Sequence, residues 1–171
     1  MLKPPHVSRS ASLMLAAALF LLDQGSKWLV VTSLRLGEVR PVIPGVFNLT
    51  HLQNRGAAFG LFANYDPLLV RAALIAFSVA ALALVLYLLW RGLNSRWTGW
   101  GLGLILGGAL GNLFDRVRSG SVVDFLDFGG YWFPFNLADS AVVLGALLLM
   151  VEVLRPHGQP ALAASGPVRE E

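Results

Sequence analysis

Four aspartates, Asp115, Asp124, Asp127 and Asp139, fall between residues 111 and 140, interleaved with Asn112, Arg116 and Asn136. Most of them lie at or near the ends of apolar segments, where an ionised carboxylate costs at least ~2.5–3.5 kcal/mol on insertion scales and marks a candidate functional site. Two carboxylates brought together in a partly dry site can share one proton, activate a water and protonate a leaving amine. At ~4 Å and an effective dielectric near 20 their repulsion is ~4 kcal/mol, roughly three pK units on the second proton. A pair that is singly protonated near neutral pH follows. Spacing alone does not choose the pair.

Other chemistries are excluded by composition. With no cysteine, the 171-residue chain has no disulfide, thiolate metal site or cysteine nucleophile. His6, His51 and His157 are far apart and form no metal-ligand pattern. A net charge of +3, scattered along the chain, does not mark a nucleic-acid surface. The catalytic groups must therefore be carboxylates, hydroxyls, amides, Lys or Arg, with no metal and no organic cofactor expected.

Three polar sets have helical spacing: Asp23, Ser26 and Lys27; Asn112, Asp115 and Arg116; Asn136, Asp139 and Ser140. Residues at i, i+3 and i+4 share one face of a helix, and polar faces in an apolar bundle should meet inside it. Each set also has a local explanation. Asp23 and Lys27 form a structural pair within one helix. Asn136 reads as an N-cap with Asp139 at the third helical position. Asp115 and Arg116 read as a local ion pair, and Asp124 and Asp127 as loop acids.

The elements that would position these residues are membrane spans. The chain is 56% hydrophobic and 13% charged, against about 25% charged in a typical soluble domain. Apolar stretches predict four spans near 11–34, 68–90, 98–114 and 136–154. The first, interrupted by Asp23 and Lys27 without a persuasive cleavage site, reads as a retained helix rather than a signal peptide. Loops 35–67 and 117–134 carry Gly and Pro punctuation and strand-like runs at 46–52, 122–128 and 131–133. Arg71 is placed to snorkel to the interface, and Trp90, Trp97 and Trp100 form an aromatic belt. Glycines 99, 103, 107 and 111 recur every fourth residue, a stripe for close helix packing. The expected fold is an all-α four-helix transmembrane bundle with a small extramembrane β-cradle built by the two loops. It makes one integral membrane domain over 1–154, followed by a disordered tail over 155–171. Both termini share one side, and the basic residues divide too evenly to orient the bundle. A small proton- or ion-coupled transporter is the alternative for buried acids and a lysine, but the chain has no convincing internal repeat of the kind such transporters carry.

Five blocks, in order, resemble a known family: Asp23-Gln24-Gly25-Ser26-Lys27; Gln53-Asn54-Arg55-Gly56-Ala57-Ala58-Phe59-Gly60; Gly111-Asn112-Leu113-Phe114-Asp115-Arg116; Val122-Val123-Asp124-Phe125; and Phe135-Asn136-Leu137-Ala138-Asp139. With four spans they resemble the lipoprotein signal peptidases (signal peptidase II), bacterial intramembrane aspartic proteases. The resemblance implies a catalytic dyad at Asp124 and Asp139. It implies cleavage of prolipoproteins before a diacylglyceryl-modified cysteine, at the outer face of the cytoplasmic (inner) membrane, with both termini cytoplasmic. Membrane lipid and globomycin-type inhibitors are the other partners it implies. Asn54, Asn112 and Arg116 are expected to orient substrate, Asp115 to hold Arg116 or a neighbouring helix, and Asn136 to start the fourth helix.

Overall fold

The computed structural model describes residues 7–56, 66–91 and 95–155. The chain runs α1 (Arg9–Ser33), β1 (Val39–Ile43), β2 (Phe47–Asn54), α2 (Pro67–Arg91), α3 (Arg96–Ser119), β3 (Val122–Asp127) and α4 (Leu137–Leu154). The leader before Val7, residues 57–60 of the second block and the tail beyond Arg155 lie outside the described residues. All four helix starts carry the capping chemistry the backbone demands; at α2 the Asp66 carboxylate accepts the Leu68 N–H at 2.7 Å. Ser8 accepts the Ala11 N–H and Ser95 accepts the Trp97 N–H, while Asn136 and Asp139 form a complete capping box. Helices α1, α2 and α4 are long and apolar enough to cross a membrane. Exposed Leu68, Phe77 and Trp90 make the free side of α2 apolar, as suits a lipid-facing surface rather than a water-facing one.

Helix α3 is the hub of the bundle, and its glycines explain why. The predicted stripe lies against α1. A Cβ at Gly103 would come 2.8 Å from the Ser12 carbonyl, and one at Gly107 2.7 Å from that of Ala16. A second stripe faces α4. Cβ atoms at Gly101 and Gly145 would come 2.9 and 2.6 Å from each other's carbonyls. Small residues on two faces let three backbones approach closely, which supplies the packing that apolar side chains cannot provide in lipid. Leu82, Val85 and Leu89 of α2 close the core against Ala16, Leu102 and Leu106.

At its far end α3 continues five residues beyond the predicted limit at Phe114, to Ser119. It stops at Gly120, whose φ of 77° is left-handed and whose N–H bonds the Arg116 carbonyl. Arg71, expected to reach the interface, is engaged by the end of a neighbouring helix. Its Nε donates to the Arg116 carbonyl at 2.9 Å and its Nη2 to that of Val117 at 2.8 Å. The bond to Val117 satisfies an orphan carbonyl of the last turn, and the extended helix carries Asp115 and Arg116 within it.

The strands form one antiparallel sheet in the order β1-β2-β3. Asp124 stands opposite Leu52, and Asn54 opposite Val122. Residues 131–133, expected as a strand, are not strand: 131 and 132 form a bend and 133 is irregular. The bridge to β3 is made by Phe135, whose N–H donates to the Leu126 carbonyl at 3.0 Å and whose carbonyl accepts the Leu126 N–H at 2.8 Å. Phe128 stacks on Phe135 at 5.8 Å. Beneath the sheet, Val30, Leu34 and Phe125 form a buried cluster that seats it on the end of α1.

Candidate active site

The chain reverses between β3 and α4, which brings Asp124 and Asp139 to one residue, Asn136. The Asn136 side-chain Nδ2 donates to Asp124 Oδ1 at 2.8 Å, and its backbone N–H donates to Asp139 Oδ2 at 3.2 Å. Its Oδ1 accepts the Asp139 N–H at 3.0 Å, completing the cap. The other oxygens are held from outside the pair. Asn54 Nδ2 donates to Asp124 Oδ2 at 3.0 Å, and Asn112 Nδ2 to Asp139 Oδ1 at 2.8 Å. Asp124 and Asn136 are buried, and Asp139 is half-buried.

Burial, and then the nearby Asp139 charge, pushes the Asp124 carboxyl up from its ordinary range to about 6, against the opposing donors Asn54 and Asn136 and the Lys27 charge. An acid pair of this kind can hold one proton between two carboxylates at near-neutral pH. That is the requirement for activating water with one member while protonating a leaving group with the other.

Behind the pair lies a second buried cluster. Lys27 Nζ sits 2.8 Å from both Asp23 Oδ2 and Asp115 Oδ2, and donates to Asn112 Oδ1 at 3.1 Å. Lys27 thereby fixes the Asn112 amide. With Oδ1 taken by Lys27 and Asn136, the NH2 group must face Asp139. Asp23 Oδ1 accepts the Ala138 N–H at 3.0 Å, placing an anion at the start of α4 where the helix dipole favours it. Gln24 donates to Asp23, to Asp115 and to the Gly111 carbonyl. Asp115 also accepts the Val123 N–H at 3.4 Å, tying α3 to β3 next to Asp124.

All the singled-out residues of the five blocks therefore converge, but in a different arrangement from the local readings. Asp23 and Lys27 are more than a pair within one helix, because they join α1 to α3 and α4. Asp115 is not the local partner of Arg116: it pairs with Lys27 and holds the neighbouring helix. Among the described residues Arg116 makes no ion pair. Its guanidinium is half-buried and interacts electrostatically with Asp139, Asp124 and, least of the three, Asp115. Asn54 and Asn112 grip the two carboxylates. Asp127 stands apart, accepting the Asn48 amide at 2.8 Å across the strand pair. Gln24 and Arg71 were given no part in the site. The only sign of Gln24's role was its position beside Asp23 in the first block.

Fold and site together define a membrane protein of several apolar helices with a buried acid cluster under a small sheet at one end of the bundle. The sequence model described as Signal peptidase (SPase) II matches residues 15–155. The lipoprotein signal peptidase of Solibacter usitatus is 43% identical over 150 residues, covering 85% of this chain and 92% of that protein. That of Geobacter metallireducens is 39% identical over 160 residues, covering 90% and 94%. A bacterial membrane enzyme solved by the in meso method at 2.3 Å superposes with a TM-score of 0.79 at 27% identity, covering 90% of this chain and 93% of that one. The chain belongs to the signal peptidase II family.

Proposed function

We propose that the chain removes signal peptides from prolipoproteins by an aspartic mechanism, cutting immediately before a diacylglyceryl-modified cysteine, with Asp124 and Asp139 as the catalytic pair. The observation that carries this reading is the double donation of Asn136 to both carboxylates. In the reaction the ionised carboxylate of the pair takes a proton from a water. The water oxygen bonds to the scissile carbonyl carbon, the C–N bond breaks, and the proton held by the pair passes to the departing amine. Arg116 is placed to polarise the carbonyl. No metal or organic cofactor enters these steps.

In this reading α3 is a fourth span despite its glycines, residues 1–154 form one catalytic domain, and both termini are cytoplasmic. The sheet then lies at the outer face of the cytoplasmic membrane as a cradle over the peptide, while the substrate's acyl chains stay in lipid. Globomycin-type peptides would block the same site. The direct test is purified protein acting on a diacylglyceryl-modified precursor and on the same precursor unmodified. Only the modified one should be cut, and equal cleavage of both would defeat the substrate assignment.

Two further outcomes are expected. The pair loses its last proton as pH rises through about 6. Protonated below that pH and empty above it, the pair should show a kcat/KM that falls about tenfold per pH unit on the alkaline side. Bound substrate, by excluding water, should move the corresponding limb of kcat upwards. A profile flat between pH 5 and 8 (about three decades of proton activity) would contradict a shared proton. Asp127→Asn should keep cleavage within about twofold of wild type, since among the described residues its carboxylate hydrogen-bonds Asn48 and not the acid cluster. An inactive Asp127 variant would move the chemistry to the other acid of β3.

A further inference from the structure

Arg116 lies in the last turn of α3, which ends at Ser119. End turns are where helices open first. The Arg116 guanidinium has few anchors of its own. It makes no ion pair among the described residues, and its one hydrogen bond there, from Nη1 to the Asn112 carbonyl, is long at 3.4 Å. Where the guanidinium stands therefore follows from where the backbone beneath it stands.

That backbone is held from two sources. Asp115 ties it to Lys27 of α1 at 2.8 Å and to the Val123 N–H of β3 at 3.4 Å. The next two residues are held from α2. Arg71 Nε donates to the Arg116 carbonyl at 2.9 Å, and Nη2 to the Val117 carbonyl at 2.8 Å. Two successive carbonyls are thus gripped by two prongs of one planar group, a fit that a single ammonium does not reproduce. The Arg116 carbonyl also accepts the Gly120 N–H at 3.1 Å, and a Cβ on Gly120 would come 3.2 Å from Arg71 Nη1. The guanidinium therefore rests against the left-handed residue that ends the helix. Arg71 is half-buried and makes no ion pair among the described residues, so no carboxylate there competes with these carbonyls for it.

We propose that Arg71 is a positioning residue for cleavage: by fixing the carbonyls of Arg116 and Val117, it sets where the Arg116 guanidinium stands relative to Asp124 and Asp139. Among the described residues Arg71 bonds neither acid of the pair, and α2 gives no other side chain to the acid cluster. Its contribution passes through Arg116, so it belongs to the chemical step rather than to peptide binding. It rests on Arg116 polarising the scissile carbonyl.

The test is a double-mutant cycle on rate, using the full chain purified in detergent with the diacylglyceryl-modified precursor as substrate. Arg116→Gln should lower kcat about 10²-fold, the scale of losing one carbonyl-polarising donor. Arg71→Gln should lower kcat about tenfold, with KM within about twofold of wild type. The double variant should stay within about twofold of Arg116→Gln alone, because Arg71 then has nothing left to position. A side chain that only supports the fold would instead slow the double variant by the product of the two effects, about 10³-fold, and that result overturns the proposal. So does a kcat for Arg71→Gln within about twofold of wild type beside a slow Arg116→Gln, an outcome that leaves the role of Arg116 standing. Wild-type kcat in Arg116→Gln overturns both. If Arg71→Gln does not fold, Arg71→Lys, which keeps the charge without the fork, takes its place in the same cycle with the same expectations.

Discussion

Asp124→Asn is expected to lower cleavage of a lipidated precursor by about 10³-fold or more while leaving the protein folded. The amide keeps the size of the carboxylate and an oxygen for one of its two donors, Asn54 and Asn136, but it cannot pass a proton. Stability should move the other way from activity. Because burial raises the Asp124 carboxyl to about 6, its ionised form is penalised in the folded state, and this cost is present above pH 6 and relieved as pH falls below it. A neutral amide avoids that cost, so the variant should unfold no earlier than wild type at neutral pH, with a gain of at most about 3 kcal/mol. Asp139→Asn should be as inactive but less stable by about 1 kcal/mol, since its carboxylate also accepts the Asn136 N–H in the capping box. Rates of both variants under single-turnover conditions, with thermal unfolding in the same detergent, check all of this. Substantial cleavage by either variant would remove the dyad.

Lys27→Met should produce the largest loss of stability of any single change considered. It would leave Asp23 and Asp115 buried without their cation, at 0% and 9% side-chain exposure. Removing one member of a buried ion pair costs about 3–5 kcal/mol, because the partner charge stays buried and uncompensated. The damage should reach the site as well. Without Lys27, the Asn112 amide loses the donor that fixes its orientation towards Asp139. Adding Asp115→Asn to Lys27→Met should recover part of the stability by removing one orphaned charge, but not the activity. If the single variant unfolds at the wild-type temperature, the buried lysine is not what holds α1 to α3.

The sequence made periodic features legible. Glycines every fourth residue announced a close helix contact, and the Asn136–Asp139 spacing announced a cap; both are present. Periodicity says which residues share a face but not which neighbour that face meets. Asp115 was therefore read against Arg116, next to it in the chain, when its partner is Lys27 on another helix. The second glycine face, at 101, 108 and 145, was missed for a related reason, since it is split between two helices and leaves only two glycines, seven residues apart, on α3. The partners of Arg71 were not legible, because an arginine at the start of an apolar helix satisfies the interface rule equally well whether or not it bonds a neighbour's carbonyls. The acid pair lay beyond spacing altogether: Asp124 is on a strand and Asp139 on a helix, and their approach is set by the Phe135–Leu126 bridge and the Asn136 hydrogen bonds. Family resemblance, not periodicity, singled them out.

Asn136 gives the last consequence. The hydrogen bonds that start α4 are also those that hold the two carboxylates together. First turns of helices are where local opening begins. Opening of this first turn therefore separates the two carboxylates, and with Asp124 and Asp139 as the proposed catalytic pair the enzyme is competent only for the fraction of time that this turn is closed. Amide hydrogen exchange at Ala138 and Asp139 would measure that fraction directly, making a local stability the ceiling on turnover.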